Sequence, residues 1–161
     1  MTIFFDHDAA GPIPCQIGLL RTITSILLDN KRLFGPLPTT IGYLTKLQNL
    51  GLVACHLSGR IPVEIGRLVQ LQNLWISDNN FTGPIPTEVG HLLSLRYLNI
   101  HEAGLTGSVP TQIRQLSNLR ELELDGSRSW MAQDGFSGHI PRGLRRLRSL
   151  TSGLRRLRSL T

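Results

Sequence analysis

Five histidines, two cysteines and eleven carboxylates are the side chains in this 161-residue chain that could move protons, attack a substrate or hold a metal. Hydrolytic or group-transfer chemistry needs a nucleophile, a base within reach of it and a third group that orients the base. Cys55 and His56 are sequence neighbours without a third member, and His7, His91, His101 and His139 are scattered. Glu64 and Glu88 stand at equivalent places of a repeating pattern, which makes them repetition rather than an acid and a base across one bond. The sequence has no Gly-Lys-Ser/Thr loop to cradle a phosphate and no His/Cys spacing that suits zinc. The expectation is a non-catalytic chain with no metal, no cofactor and no small-molecule substrate. Cys15 and Cys55 occupy non-equivalent places of the pattern, so a disulfide framework is not indicated. Asn80-Phe81-Thr82 is the single N-x-S/T sequon, which makes Asn80 a candidate glycosylation site.

Recognition remains as a function, and it needs a scaffold. Gly11, Gly35, Gly59, Gly83 and Gly107 fall at a constant interval of 24, and Gly138 follows after 31, which marks an insertion of seven. All nine prolines fall in two columns set by those glycines: Pro12, Pro36 and Pro84 just after, and Pro14, Pro38, Pro62, Pro86, Pro110 and Pro141 three after. Leucines keep the same beat, as in Leu47-x-x-Leu50-x-Leu52, Leu71-x-x-Leu74-x-Ile76, Leu95-x-x-Leu98-x-Ile100 and Leu119-x-x-Leu122-x-Leu124. The closing alternation has period two and predicts a short strand with one buried face. The half-repeat behind the proline spaces apolar residues by three or four and predicts a helical or 3₁₀ turn on the opposite side. One repeat cannot bury its own leucines, so successive turns must stack, with parallel strands lining a concave face.

These residues resemble the plant-type subclass of the leucine-rich repeat family. Leu71-Gln-Asn-Leu74-Trp-Ile76-Ser-Asp-Asn79-Asn-Phe81-Thr-Gly83-Pro-Ile85-Pro86-Thr-Glu-Val89-Gly90 matches its L-x-x-L-x-L-x-x-N-x-L-x-G-x-I-P-x-x-I-G pattern nearly throughout. The resemblance covers about residues 11 to 150. It implies an α/β fold, a right-handed horseshoe solenoid with parallel concave strands and helical or 3₁₀ turns on the convex side. It also implies use as a protein or peptide recognition surface, as in receptor-like kinases and receptor-like proteins. In that family an asparagine in the x-x-N column bonds buried backbone between turns. Here Asn79 supplies it, whereas Lys31, Cys55 and Ala103 replace it, so a softer solenoid is expected.

Residues flanking the strand leucines are predicted to project from the concave face: Ser25, Leu27 and Asp29; Asn49, Gly51 and Val53; Asn73, Trp75 and Ser77; Tyr97, Asn99 and His101; Glu121, Glu123 and Asp125. A partner contact is expected around Trp75, Tyr97, Asn99 and His101, with Glu102, Glu121, Glu123 and Asp125 selecting a basic segment of a protein or peptide ligand. The alternative for these positions is a solvated strand face. The insertion at 127–134 carries Trp130, a further binding candidate that could equally fold onto the last turns.

Residues 1–10 read as an incomplete leading repeat with Phe4 in a strand-leucine place, residues 11–150 as the array, and residues 151–161 as an Arg/Leu-rich tail. Net charge is +6, but seven arginines lie in 142–161, leaving ten basic and eleven acidic residues in the body. A nucleic-acid or anionic-membrane role is therefore confined to the tail, whose duplicated Gly-Leu-Arg-Arg-Leu-Arg-Ser-Leu-Thr segments suit an amphipathic cap. The last repeat, which opens at Gly138, is not expected to complete its strand. A monomer is expected, either working alone or as a structural fragment of a longer receptor-like chain. Met1-Thr-Ile-Phe-Phe-Asp6 lacks a basic segment before its apolar residues, so no signal peptide is read, and no apolar run is long enough to span a membrane. The chain reads as intracellular unless it is a fragment of a secreted or membrane receptor.

Overall fold

Leucine columns that recur once per repeat can be buried only if each turn of chain lies on the last, and the computed structural model shows that stacking over residues 2–4 and 10–124, the residues it describes. Strands β1 (Thr2–Phe4), β3 (Ser25–Leu27), β5 (Asn49–Gly51), β7 (Asn73–Trp75), β9 (Tyr97–Asn99) and β10 (Glu121–Glu123) form a six-stranded parallel sheet in that order. Register follows the repeat, with Ile26 opposite Leu50, Leu50 opposite Leu74, Leu74 opposite Leu98 and Leu98 opposite Leu122. All five of these side chains are at most 2% exposed. The middle residue of β3, β5, β7, β9 and β10 is thus a core residue and its two neighbours lie on the other face of the sheet, as the period-two alternation requires.

The leading strand slips by one. Ile3 pairs with Ile26 and Phe4 with Leu27, so Ile3 and not Phe4 takes the register position of the strand leucine, a correction to the strictly periodic reading of the first segment.

Behind the core, 3₁₀ helices at Cys15–Leu19, Thr39–Tyr43, Val63–Arg67, Thr87–His91 and Thr111–Gln115 stack on one another in a column of their own. Each is entered from a proline, whose carbonyl accepts the N–H three residues on, at 3.0–3.1 Å. Proline fits there because its missing N–H would have had no partner, and its fixed φ directs the chain into the turn. A glycine at the next-to-last position, Gly18, Gly42, Gly66 or Gly90, lets the following turn approach closely.

A second sheet has no counterpart in the sequence reading. Strands β2 (Ala10–Pro12), β4 (Arg32–Pro36), β6 (Leu57–Gly59) and β8 (Asn80–Phe81) pair in parallel in that order, with Gly35 opposite Leu57 and Ser58 opposite Asn80. Gly35 faces Leu57 rather than its repeat equivalent Gly59, so these strands are staggered against the repeat. They are too short and too glycine-rich for any periodicity to announce them.

The interior between these layers is one continuous apolar cluster from Ile13 to Leu124. Two buried polar side chains matter within it. Asn79 donates from Nδ2 to the carbonyls of Leu52 (2.7 Å), Ile76 (3.0 Å) and Ser77 (2.9 Å), and its Oδ1 accepts the Leu57 N–H at 2.9 Å. One turn earlier, the Cys55 thiol donates to the carbonyls of Leu28 (2.9 Å) and Val53 (3.4 Å), equivalents of two of the asparagine's partners. Burial pushes that thiol's pKa up, keeping it protonated and able to donate. One turn later, Ala103 has no side-chain donor, but its own carbonyl accepts the Phe81 N–H at 2.9 Å. The absence of asparagine is therefore partly compensated, and the softening expected at Cys55 and Ala103 is smaller than the column alone suggests.

A left-handed residue precedes that column in each of these turns: Asn30, Ala54, Asp78 and Glu102, all with φ between 48° and 58°. Asn and Asp tolerate this region, whereas an alanine there bears a penalty of about 1–2 kcal/mol. Ala54→Gly should therefore stabilise the chain by up to about 1 kcal/mol, the relief exceeding glycine's added flexibility when unfolded. Urea unfolding checks it, and a lower midpoint for the variant would contradict it.

Candidate functional site

The outward positions of the six-stranded sheet form three columns along the stack. The first holds Ser25, Asn49, Asn73, Tyr97 and Glu121; the second Leu27, Gly51, Trp75, Asn99 and Glu123; the third Asp29, Val53, Ser77 and His101. Ser25, Gly51 and Ser77 are buried, so these three do not project as expected. Their side chains are small or absent, and at Gly51 the Leu27 and Asp29 side chains lie over the backbone. Trp75, Tyr97, Asn99, His101, Glu102, Glu121 and Glu123 are all half-exposed. Asp125 and Trp130 lie outside the described residues, as do the insertion, the repeat that opens at Gly138 and the tail.

The structure brings the predicted residues together on consecutive strands. Trp75 stands opposite Asn99, and Tyr97 stands between Asn73 and Glu121. Asn99 is a hub: its Nδ2 donates to Glu123 Oε2 at 2.6 Å, and its Oδ1 accepts the His101 N–H at 3.0 Å. His101 Nε2 lies 3.6 Å from Glu102 Oε1, an ion pair when the imidazole is protonated. The Glu123 carboxylate is thus held in place by a neighbouring donor.

Electrostatically the face has a direction. None of the strand and third-column positions of this sheet among the described residues is Lys or Arg, and Asp29, Asp78, Glu102, Glu121 and Glu123 gather on them or at their C-terminal edge. Exposed Arg96 and Arg120 sit just before β9 and β10, at the opposite edge. The sequence reading misses that basic edge because it weighs only the residues flanking the closing L-x-L, and Arg96 and Arg120 stand one residue before those.

A chain of amides runs along the first column. Asn73 Nδ2 donates to Asn49 Oδ1, and Asn49 Nδ2 donates to Ser25 Oγ at 2.8 Å. Asn73 Oδ1 at its end is buried without a partner. Asn80 lies elsewhere, exposed on β8 of the second sheet, with Thr82 also exposed. Among the described residues no group of three or more His, Cys, Asp or Glu could hold a metal ion, and no helix is long and apolar enough to cross a membrane.

A stack of short parallel strands over 3₁₀ turns, with its polar and aromatic residues arrayed on one sheet face, defines a leucine-rich repeat solenoid. Residues 6–160 match the leucine-rich repeat region family, and the chain belongs to that family. Among solved structures it is similar to the leucine-rich repeat ectodomain of the membrane receptor kinase GASSHO1/SCHENGEN3 from Arabidopsis thaliana, in complex with CASPARIAN STRIP INTEGRITY FACTOR 2. That likeness has 36% identity and a TM-score of 0.82, over 91% of this chain and 17% of the other. It is similar to the plant peptide hormone receptor RGFR1 in complex with RGF2, with 31% identity and a TM-score of 0.83 over 89% of this chain and 22% of the other. It also resembles the Arabidopsis receptor kinase HAESA in complex with the peptide hormone IDA and the co-receptor SERK1, with 32% identity and a TM-score of 0.81 over 89% and 23%. The chain spans about a fifth of the length of these three chains. No curated protein matches it in sequence.

Proposed function

We propose that this chain is a non-catalytic recognition module that binds a protein or extended peptide on the exposed face of its six-stranded sheet, around Trp75, Tyr97 and His101. The observation that carries this reading is the placement of two aromatic rings and the Asn99–Glu123 and His101–Glu102 pairs on adjacent strands, half-exposed, over a core that needs none of them. Aromatic rings supply contact area at low entropic cost, and pre-positioned carboxylates supply choice of partner. Glu102, Glu121 and Glu123 favour a basic segment, while Arg96 and Arg120 at the other edge fix the orientation of a ligand bearing both charges. The similar receptors named above were solved in complex with CASPARIAN STRIP INTEGRITY FACTOR 2, RGF2 or the peptide hormone IDA, which supports a protein or peptide ligand for this chain.

Capture of partners by the intact chain, compared with Trp75→Ala and with Glu121→Lys/Glu123→Lys, tests the reading. The variants should fold normally and lose about tenfold or more in affinity, since buried aromatic anchors are worth about 2 kcal/mol or more. Wild-type binding should also weaken as salt rises. Equal capture of every partner by all three proteins would overturn it.

A second reading is a segment that acts within a longer receptor-like ectodomain. Its support is the length relation, 17–23% of each of three receptors. Transcript mapping through the coding region separates the two: one continuous longer reading frame favours the segment, and a 161-residue product favours the module.

A further inference from the structure

Summed over the body, ten basic and eleven acidic residues nearly cancel, which is why the sequence reading leaves a lipid role to the tail. The fold separates those charges. Asp29, Asp78, Glu102, Glu121 and Glu123 gather on or beside the six-stranded sheet, whose strand and third-column positions hold no Lys or Arg among the described residues. On the convex side, the five 3₁₀ helices and the turn that follows each carry Arg21, Lys46, Arg67 and Arg114, all exposed. The acids there are Glu64 and Glu88, both half-buried, with their Cβ atoms packed toward the glycine of the preceding helix. Among the described residues none of the four cations forms an ion pair.

The same side holds six of the seven large apolar side chains that the described residues expose, the seventh being Phe34 on β4. Leu19 is 75% exposed, Leu93 55%, Val69 52% and Tyr43 47%. Leu19 and Tyr43 are equivalents on the first two turns, and Val69 and Leu93 on the next two. Side chains here lean back by one turn: a Cβ on Gly18 would lie 3.1 Å from Tyr43 Cδ2, and one on Gly42 3.3 Å from Arg67 Cδ. Tyr43 thus lies against the turn that bears Leu19, and Arg67 against the turn that bears Tyr43. The Arg21 guanidinium stands 5.5 Å from the centre of the Tyr43 ring. Apolar tips and unpaired cations are therefore interspersed along one ridge. Exposed apolar residues gathered on one side mark a binding surface, whereas single scattered ones need no explanation.

We propose that this ridge docks on a lipid surface that carries anionic headgroups. Leu19, Tyr43, Val69 and Leu93 enter the headgroup layer, and Arg21, Lys46, Arg67 and Arg114 lie among its phosphates and carboxylates. Tyrosine suits that boundary with an apolar ring and a polar tip, and the stems of arginine and lysine cover apolar surface while their heads stay with charge. Shape favours a bilayer over an acidic peptide. Peptides gain affinity from a groove or a free sheet edge, whereas the ridge presents separate protruding tips on a convex side. The acidic sheet face, across the core, is repelled by the same surface, so the chain docks with that face outward. This contact uses the side opposite the sheet-face site and goes beyond it.

Vesicles of about one-third phosphatidylserine in phosphatidylcholine should retain the intact chain on flotation at low salt, with pure phosphatidylcholine retaining about tenfold less. Residues 142–161 bring seven arginines of their own, so a local readout decides. In bicelles of the same lipids doped with a spin-labelled lipid, the ¹⁵N-labelled chain should show amide broadening at Tyr43, Val69 and Leu93 about fivefold stronger than at Trp75 and Glu123. Val69→Ser/Leu93→Ser and Lys46→Glu/Arg67→Glu should each weaken vesicle binding by about tenfold, while melting temperatures stay within about 3 °C. Arg155→Gln/Arg156→Gln/Arg158→Gln should lower total binding yet leave the broadening pattern as it is. Broadening that is equal on both sides or absent from the ridge, or vesicle binding that both ridge variants keep, would overturn the proposal. So would ridge amide shifts produced by an oligo-glutamate peptide but not by the anionic bicelles, an outcome that assigns the face to a protein. Trp75→Ala should leave vesicle binding unchanged, so lipid docking and partner capture on the sheet fail separately.

Discussion

Asn79→Ala is expected to destabilise the chain by about 4 kcal/mol, lowering its urea midpoint with little change in slope. The side chain is 6% exposed and serves four backbone groups on two successive turns of chain. Alanine leaves the Leu57 N–H and the Leu52 and Ile76 carbonyls without that partner in a region too apolar to hydrate well. Each such group costs about 1–3 kcal/mol. The Ser77 carbonyl is spared, because it also accepts the Ala54 N–H at 3.1 Å. Asn79→Cys is the sharper comparison. Cys55 already occupies the equivalent place and reaches two of the corresponding carbonyls through its thiol, but a thiol is a weak donor and a poor acceptor for the Leu57 N–H. The cysteine variant should therefore lose about half as much as the alanine variant. Losses below about 1 kcal/mol for Asn79→Ala would mean that water enters the column freely and that the asparagine is not the tie between turns.

Much of this architecture is legible in the sequence, because the repeat presents each structural demand several times. The apolar residues at 26, 50, 74, 98 and 122 come with the period-two alternation that makes them strand residues, and five prolines mark the entrances to five 3₁₀ turns. Features without a side-chain rhythm stay hidden. The second sheet pairs out of step with the repeat, set by backbone geometry after the left-handed column of Asn30, Ala54, Asp78 and Glu102, four residue types with no common chemistry in sequence. The site is legible in outline, since alternation assigns a face to every strand residue. Depth on that face is not. Gly51 reads as one member of a list of projecting residues, and only the position of Asp29 and Leu27 over it shows that this place on the face is covered. Ala103 illustrates the same limit, for its compensation is a main-chain carbonyl reaching Phe81 through a turn at Gly104, whose φ of 79° suits glycine.

The second large effect is expected on the opposite side of the solenoid, where Gly66→Val should cost about 3 kcal/mol and Gly66→Ala about 2 kcal/mol. Gly66 lies in the 3₁₀ helix Val63–Arg67, and a Cβ built on it would stand 2.6 Å from the Glu88 carbonyl oxygen, 2.7 Å from Glu88 Cβ and 3.1 Å from the Glu88 carbonyl carbon. Those atoms are backbone or fixed to it, so relief requires the whole Thr87–His91 turn to withdraw from its neighbour. The neighbouring positions have the same geometry, with 2.7 Å from Gly42 to Glu64 Cβ and 2.6 Å from Gly90 to Gln112 Cβ, which makes the glycine column the spacing rule of the stack. Gly66 has no left-handed φ, so its penalty comes from crowding, unlike Gly83 at φ 77° where any side chain is strained by the dihedral itself. Arg114 occupies the same column in the fifth turn and already carries a side chain. Arg114→Gly should accordingly change stability by less than about 1 kcal/mol, the ordinary cost of added backbone freedom. Hydrogen exchange should report the difference locally, with faster exchange at Val89 and Leu92 in Gly66→Val and none in Arg114→Gly. A Gly66→Ala protein as stable as the wild type would show that the turns can part without loss, and the close approach would then not set the repeat spacing.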